Sequence, residues 1–248
     1  MRRAGFFIAT GIAVYFLILV FTLPAVQLED YIEERVQGLS LTAVSGSVFF
    51  GEAGRVSYQG MDLGLARWEF LPWALLTGRV EYHVGLSAPG GTGQANAGVT
   101  FAGNVYGHDI DVSFSPDPII DRYSPMVVET SGSINVLVDS IKLSDGFPDE
   151  LSGRVVWKSA AILAPVEMIF GDTVLTMQNI GGELVGRIEN EADFGLSGEV
   201  AIAPGGAYRV DLLLAPDATT SRQTVSLLES TTTVQSDGNY RLRSSGQW

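Results

Sequence analysis

Beyond residue 38 the apolar positions of this chain recur at every second residue. In "RVEYHVGL", Val80, Tyr82, Val84 and Leu86 share one side and Arg79, Glu81 and His83 the other. "HDIDVSF" sets Ile110, Val112 and Phe114 against Asp109, Asp111 and Ser113, and "AYRVDLLL" sets Tyr208, Val210, Leu212 and Leu214 against Arg209 and Asp211. A period of two places alternate side chains on opposite faces of a strand, so these runs predict antiparallel strands with one face turned to a core. Turn residues stand between the runs: Gly60, Ala88 to Gly93, Ser115 to Pro118, Ser144 to Gly146, Ile180 to Gly182, Ala203 to Gly206 and Ser236 to Asn239. "IENEAD" alternates Glu189, Glu191 and Asp193, which puts these carboxylates on one solvated strand face.

Two stretches depart from that period. "LPWALLTG" has Pro72 where a helix would begin and Gly78 where it would end. It predicts a short helical insert over Pro72–Thr77, plugging one end of the sheet with Trp73, Leu75 and Leu76. No long helix is expected after residue 38. The second departure is the N-terminus, where Arg2 and Arg3 precede an uncharged apolar run from Ala4 to Leu23. At about 1.5 Å per residue, roughly 20 residues cross the ~30 Å hydrocarbon core of a bilayer. The two arginines favour a cytoplasmic N-terminus. A retained single-pass anchor is the expectation, with cleavage near Ala25 as the alternative. Asp30 to Val36 predicts a short amphipathic helix that Gly38 closes.

The expected fold is therefore mainly β. A transmembrane anchor (residues 1–24) and a juxtamembrane link (25–38) precede one curled, barrel-like antiparallel sheet domain (39–248). In a Gram-negative cell that domain faces the periplasm. A faint repeat of Ser-Gly steps, "SGSV" at Ser45, "SGSI" at Ser131, "LSGRVVW" at Leu151 and "LSGEVAI" at Leu196, is read as shared hairpin chemistry.

Composition narrows the function. The 248 residues carry a formal net charge of -13, which repels phosphate backbones and disfavours nucleic acid as a partner. There is no Cys, hence no disulfide, thiolate metal site or Cys nucleophile. The two histidines, His83 and His108, lie in no metal-ligand spacing, and neither a nucleophile elbow nor a phosphate-binding loop is present. No cofactor, metal or catalytic residue is expected. A hydrolase built on His83 or His108 remains the least favoured reading.

"GSVFFGEA" and "ARWEFLPWALLTGRV" together carry a resemblance. The chain resembles the protein N family of the type II secretion system. In that pattern G-[ST]-aliphatic-W-x-G-x-A is followed, after a spacer, by aliphatic-x-W-x-aliphatic-x-P-x-x-L-L-x-G. Gly46, Ser47, Val48, Gly51 and Ala53 match the first part; Trp68, Phe70, Pro72, Leu75, Leu76, Gly78 and Val80 match the second. Gly153, Val155, Trp157 and Pro165, then Gly181, Gly182, Leu184 and Gly186, then Gly198, Tyr208, Leu212 and Pro216 continue it in order. One departure is Phe49, where the family has Trp; phenylalanine keeps a ring and lacks the indole N–H. The motif and its neighbouring aromatics single out Gly46, Phe49, Gly51, Trp68, Pro72, Trp73, Leu76, Gly78 and Trp157 as core or interaction positions.

The resemblance implies an accessory inner-membrane part of a machine that exports folded proteins from the periplasm through an outer-membrane channel, with no enzymatic step. Its partners would be the inner membrane and other secretion components, met through an exposed sheet edge or the aromatic end. A curled sheet with an apolar interior leaves a second reading open, a membrane-anchored module that holds lipid.

Overall fold

The structure is a computed structural model that describes residues 23–26, 33, 36–117, 128–144, 146–218 and 220–247. The expected spanning run and most of the expected Asp30–Val36 helix lie outside these residues. Among the described residues no helix is long and apolar enough to cross a membrane. The chain divides into two compact units between Pro89 and Gly90, inside the turn-rich segment Ala88 to Gly93.

The described part of the first unit holds β1 (Leu39–Gly46), β2 (Phe50–Tyr58), β3 (Met61–Phe70), a 3-10 helix (Pro72–Thr77) and β4 (Arg79–Ala88). Neighbours in sequence pair antiparallel: Leu41 faces Val56, Gly51 faces Trp68, and Trp68 faces Val84. The period-2 reading of β4 holds over most of its length. At its start, however, Glu81 is only 7% exposed, so the side expected to face water turns inward there. Ala53, Val56 and Ala66 are buried, with Leu39, Leu41, Leu63, Trp68 and Leu86 packed around them. β1 is the outer strand, and the Glu33 carboxylate accepts the outward N–H of Leu41 at 2.7 Å. That bond occupies a donor a foreign strand would otherwise use.

The second unit holds β5 (Gly91–Thr100), β6 (Val105–Phe114), β7 (Glu129–Ser144), β8 (Phe147–Ala164), β9 (Met168–Ile180), β10 (Glu183–Asn190), β11 (Gly195–Ile202), β12 (Ala207–Ala215), α1 (Arg222–Thr231), β13 (Thr233–Val234) and β14 (Tyr240–Gln247). Its strands also pair in sequence order, except that β14 lies between β12 and β13. The order is linear in both units. In neither unit does the first strand pair with the last, so the sheet, barrel-like in expectation, does not close into a barrel.

The register of the second unit turns alternation into rows. Val112, Val136, Val155, Leu175 and Ile188 sit side by side on successive strands, and Gly198, Leu212 and Leu242 continue the row. The adjacent row on the opposite face runs Asp111, Leu137, Arg154, Thr176, Arg187, Glu199, Asp211 and Arg243. One face is thus apolar and the other largely charged.

The helix α1 adds to the sequence expectation, which placed only the Pro72 insert and no long helix after residue 38. Its ten residues are capped by Ser221, whose hydroxyl accepts from the Thr224 N–H at 3.1 Å. The buried Thr224 hydroxyl donates to the Glu167 carbonyl at 3.1 Å. Leu228 packs with Ala160, Phe170, Phe194 and Tyr240 to form the core of this unit. Burying each large apolar side chain of this kind contributes about 1.5–3 kcal/mol.

A second correction concerns "IENEAD". β10 ends at Asn190, so Glu191 and Asp193 lie in the following loop and share no strand face with Glu189. Asn190 ties that loop down: its amide donates to the Phe170 and Phe194 carbonyls at 2.7 and 2.8 Å, and its Oδ1 accepts from the Leu196 N–H at 2.6 Å.

Candidate interaction surface

The motif residues of the first unit meet at one end of its sheet. There β1 turns into β2 through Ser47–Phe49, and β3 turns into β4 through the 3-10 helix. Gly46 has φ 90°, and a Cβ on it would come within 2.5 Å of the Phe50 carbonyl oxygen, so this turn needs glycine. The Ser47 hydroxyl accepts from the Phe50 N–H at 3.1 Å and closes the turn.

Trp68 lies across Gly51. A Cβ on Gly51 would run into the Trp68 ring and come within 2.7 Å of the Ser45 carbonyl oxygen. The missing side chain lets the indole reach over β2, where its Nε1–H donates to the Ser47 carbonyl at 3.2 Å. Phe49 sets its ring edge-on to Phe70 at 5.2 Å, and Phe70 contacts Tyr82 at 5.4 Å. Burial raises the Tyr82 pKa above its ordinary value. Phe49, Gly51 and Trp68 are therefore packing positions.

Trp157 has a comparable bond in the second unit. Its indole donates to the Ser131 carbonyl at 2.9 Å, beside Gly132 with φ 101°. Two of the Ser-Gly steps noted in the sequence thus each place a positive-φ glycine next to a carbonyl that accepts from a tryptophan.

Pro72, Trp73, Leu76 and Gly78 behave differently. Pro72 opens the 3-10 helix and Gly78 ends it in the left-handed conformation, its N–H returning to the Leu75 carbonyl at 3.1 Å. None of the residues in this helix is buried. Trp73 is 79% exposed and Leu76 80%. The expected plug of Trp73, Leu75 and Leu76 is thus overturned, since the short 3-10 helix carries these side chains outward.

The chain leaving the N-terminal segment arrives at the same end. Pro24 bridges Ser47, the Val48 N–H donates to the Leu23 carbonyl at 2.9 Å, and the Ala25 N–H donates to the Gly46 carbonyl at 3.1 Å. Ala25 is fully buried there.

The charged face of the second unit carries shallow troughs. One of about 670 Å³ is lined by Asp109, Asp111, Asp139, Arg154 and Gln178 among others, and another of about 390 Å³ by Glu199, Arg209, Asp211 and Arg243. In the latter Arg241 and Arg243 hold the Asp211 carboxyl at a pKa of about 2, mainly through the Arg241 hydrogen bonds. His108 stacks on Tyr106, and its Nδ1 lies 2.8 Å from the Asp109 carboxylate, while His83 is exposed on β4. Among the described residues no three acidic or histidine side chains are grouped as a metal site.

Comparison with known proteins follows the same residues. The family described as Type II secretion system (T2SS), protein N matches residues 37–243. The chain belongs to this family. It is similar to the Type II secretion system protein N of Aeromonas hydrophila, 24% identical over 222 residues that cover 87% of each chain. It is similar also to the protein of that name from Vibrio cholerae serotype O1, 24% identical over 195 residues covering 73% of this chain and 74% of the other. No solved structure gave a significant match. The protein N match runs through both β units, so the glycine and tryptophan pairs just described lie within the part this family shares.

Proposed function

We propose that the chain is an accessory, non-enzymatic component of the type II secretion machinery. Residues 1–24 hold it at the inner membrane, residues 25–38 link, and residues 39–248 stand on the periplasmic side, where they meet other components of the machine. The observation that carries this reading is the family match over residues 37–243, which includes every β element but the end of the last strand. The formal charge of -13 fits protein partners better than nucleic acid.

The lipid-holding alternative needs an apolar trough open to water. The two troughs described above are mixed: Ile110, Leu137, Val138 and Met177 line the larger beside its carboxylates and Arg154, and Ala201 and Val210 line the other beside Glu199, Arg209 and Arg243, so preference for the interaction reading rests on the family match.

The test is made in the native host. A chromosomal copy ending at residue 38 is expected to reduce the exported protein recovered in the medium, and secretion at the full-length level would overturn a required role. Crosslinking in intact cells, purification on a C-terminal tag and mass spectrometry should recover inner-membrane or channel components. Stoichiometric lipid without such proteins would favour the alternative.

A further inference from the structure

The segment Leu71–Gly78 carries no charge, yet it presents Trp73 and Leu76 almost wholly to solvent. Large apolar side chains displayed this way mark a contact. The end of the sheet that carries them also receives the chain from the N-terminus. Leu23, the last residue of the apolar run, is bonded to Val48 and is itself 37% exposed. Phe50, next along from the same turn, is half exposed.

If the run Ala4–Leu23 spans the bilayer, it leaves the hydrocarbon at Leu23. The Leu23–Val48 and Ala25–Gly46 backbone bonds leave no slack between that exit point and the sheet. The end of the unit bearing Trp73 and Leu76 is then held at the level of the lipid headgroups. Tryptophan and leucine on an uncharged turn suit that layer, where an aromatic ring with one N–H meets both apolar chains and water. We infer that the 3-10 helix is a membrane-surface contact, with Trp73 and Leu76 seated in the outer leaflet of the membrane that holds the anchor. The occupant is the lipid surface. The proposal rests on the reading of residues 1–24 as a retained anchor.

The natural absence of cysteine allows single labels to be placed in the full chain. Variants Trp73→Cys, Leu76→Cys, Tyr58→Cys and Val14→Cys would each carry an environment-sensitive fluorophore and be reconstituted into phosphatidylcholine vesicles, whose neutral headgroups do not repel an acidic chain. Tyr58 is an exposed site at the opposite end of the same unit, where β2 turns into β3. Nitroxide-bearing lipid is expected to quench positions 73 and 76 several-fold more than position 58, with the shallow nitroxide acting more strongly than the deep one. Position 14 should show the reverse depth order. Quenching at 14 with positions 73 and 76 as water-exposed as 58 would overturn the surface contact and leave the anchor standing. Quenching at 73 and 76 without 14 would keep the contact and overturn the anchor, and quenching at none of the three would overturn both.

Discussion

Asp211 on β12 holds Arg241 on β14 through both carboxylate oxygens, at 2.6 Å to Nε and 2.7 Å to Nη2. Arg243, its direct partner in the register, adds a third bond at 3.1 Å. The carboxyl pKa is depressed to about 2 in the folded chain, against about 3.9 for an unfolded aspartate. Its contribution to stability is therefore complete above the unfolded value and is lost as pH falls from about 4 towards 2. Asp211→Asn should lower the urea midpoint at pH 7. The gap to the parent chain should narrow through that window and close below it. A gap that does not change between pH 6 and 2.5 would show that the ion pair is not its source.

The indole of Trp68 combines packing and one hydrogen bond, and two substitutions separate them. Trp68→Phe keeps most of the ring and strands the Ser47 carbonyl, a loss of about 1 kcal/mol. Trp68→Ala removes the ring as well, for about 3 kcal/mol. Equal losses in urea unfolding would mean that the hydrogen bond contributes almost nothing.

Gly51→Ala tests the close approach beneath that ring. Alanine suits a strand better than glycine, so a site with room would gain stability. Here the new methyl meets the Trp68 ring and the Ser45 carbonyl, and backbone cannot swing aside. The expected outcome is a loss of about 1–3 kcal/mol, read from the same unfolding curves.

Asn190 uses both amide hydrogens and its carbonyl oxygen to tie the loop after β10 to β9 and β11. Asn190→Ala leaves these half-buried groups without it and should cost about 2 kcal/mol. Asn190→Asp should be worse near pH 7, because a carboxylate then points at the Phe170 and Phe194 carbonyls. An aspartate variant as stable as the parent would refute this bonding pattern.

Trp73→Ser and Leu76→Ser should leave the unfolding midpoint of the detergent-solubilised chain within about 0.5 kcal/mol of the parent. Among the described residues nothing packs on these side chains heavily enough for more. A loss of 2 kcal/mol or above, the order expected of a core truncation, would show that they are structural after all.

The strands were legible because alternation and turn residues agree. "HDIDVSF" and "AYRVDLLL" state their faces outright, and Gly60, Gly181–Gly182 and Gly205–Gly206 stand where strands reverse. The helix α1 was hidden by its composition. Thr224, Val225, Ser226, Ser230 and Thr231 are weak helix formers, and Ser221 reads equally well as a turn residue. Its amphipathic spacing, Val225 with Leu228, was the one available signal. Among the surface residues, hydrophobicity marked Trp73 and Leu76 as important but could not say which way a short 3-10 helix would aim them. Glu81 misled for a related reason: alternation assigns a face, whereas burial also depends on which segments return over that face. Closure of the sheet was not legible at all, because it depends on whether the first and last strands meet.

The sequential strand order has a kinetic meaning. Apart from the place of β14, each strand within a unit adds to the one made just before it, across a connection that is short in most cases, so few pairings must wait for a distant part of the chain. Loop closure is then cheap at each step and folding is correspondingly quick. A chain delivered N-terminus first can extend the strand order step by step as it emerges, each new strand covering the edge left by the one before. The second unit alone must wait for its end, since β14 has to pass β13 and seat Tyr240 beneath Leu228 before that core is complete.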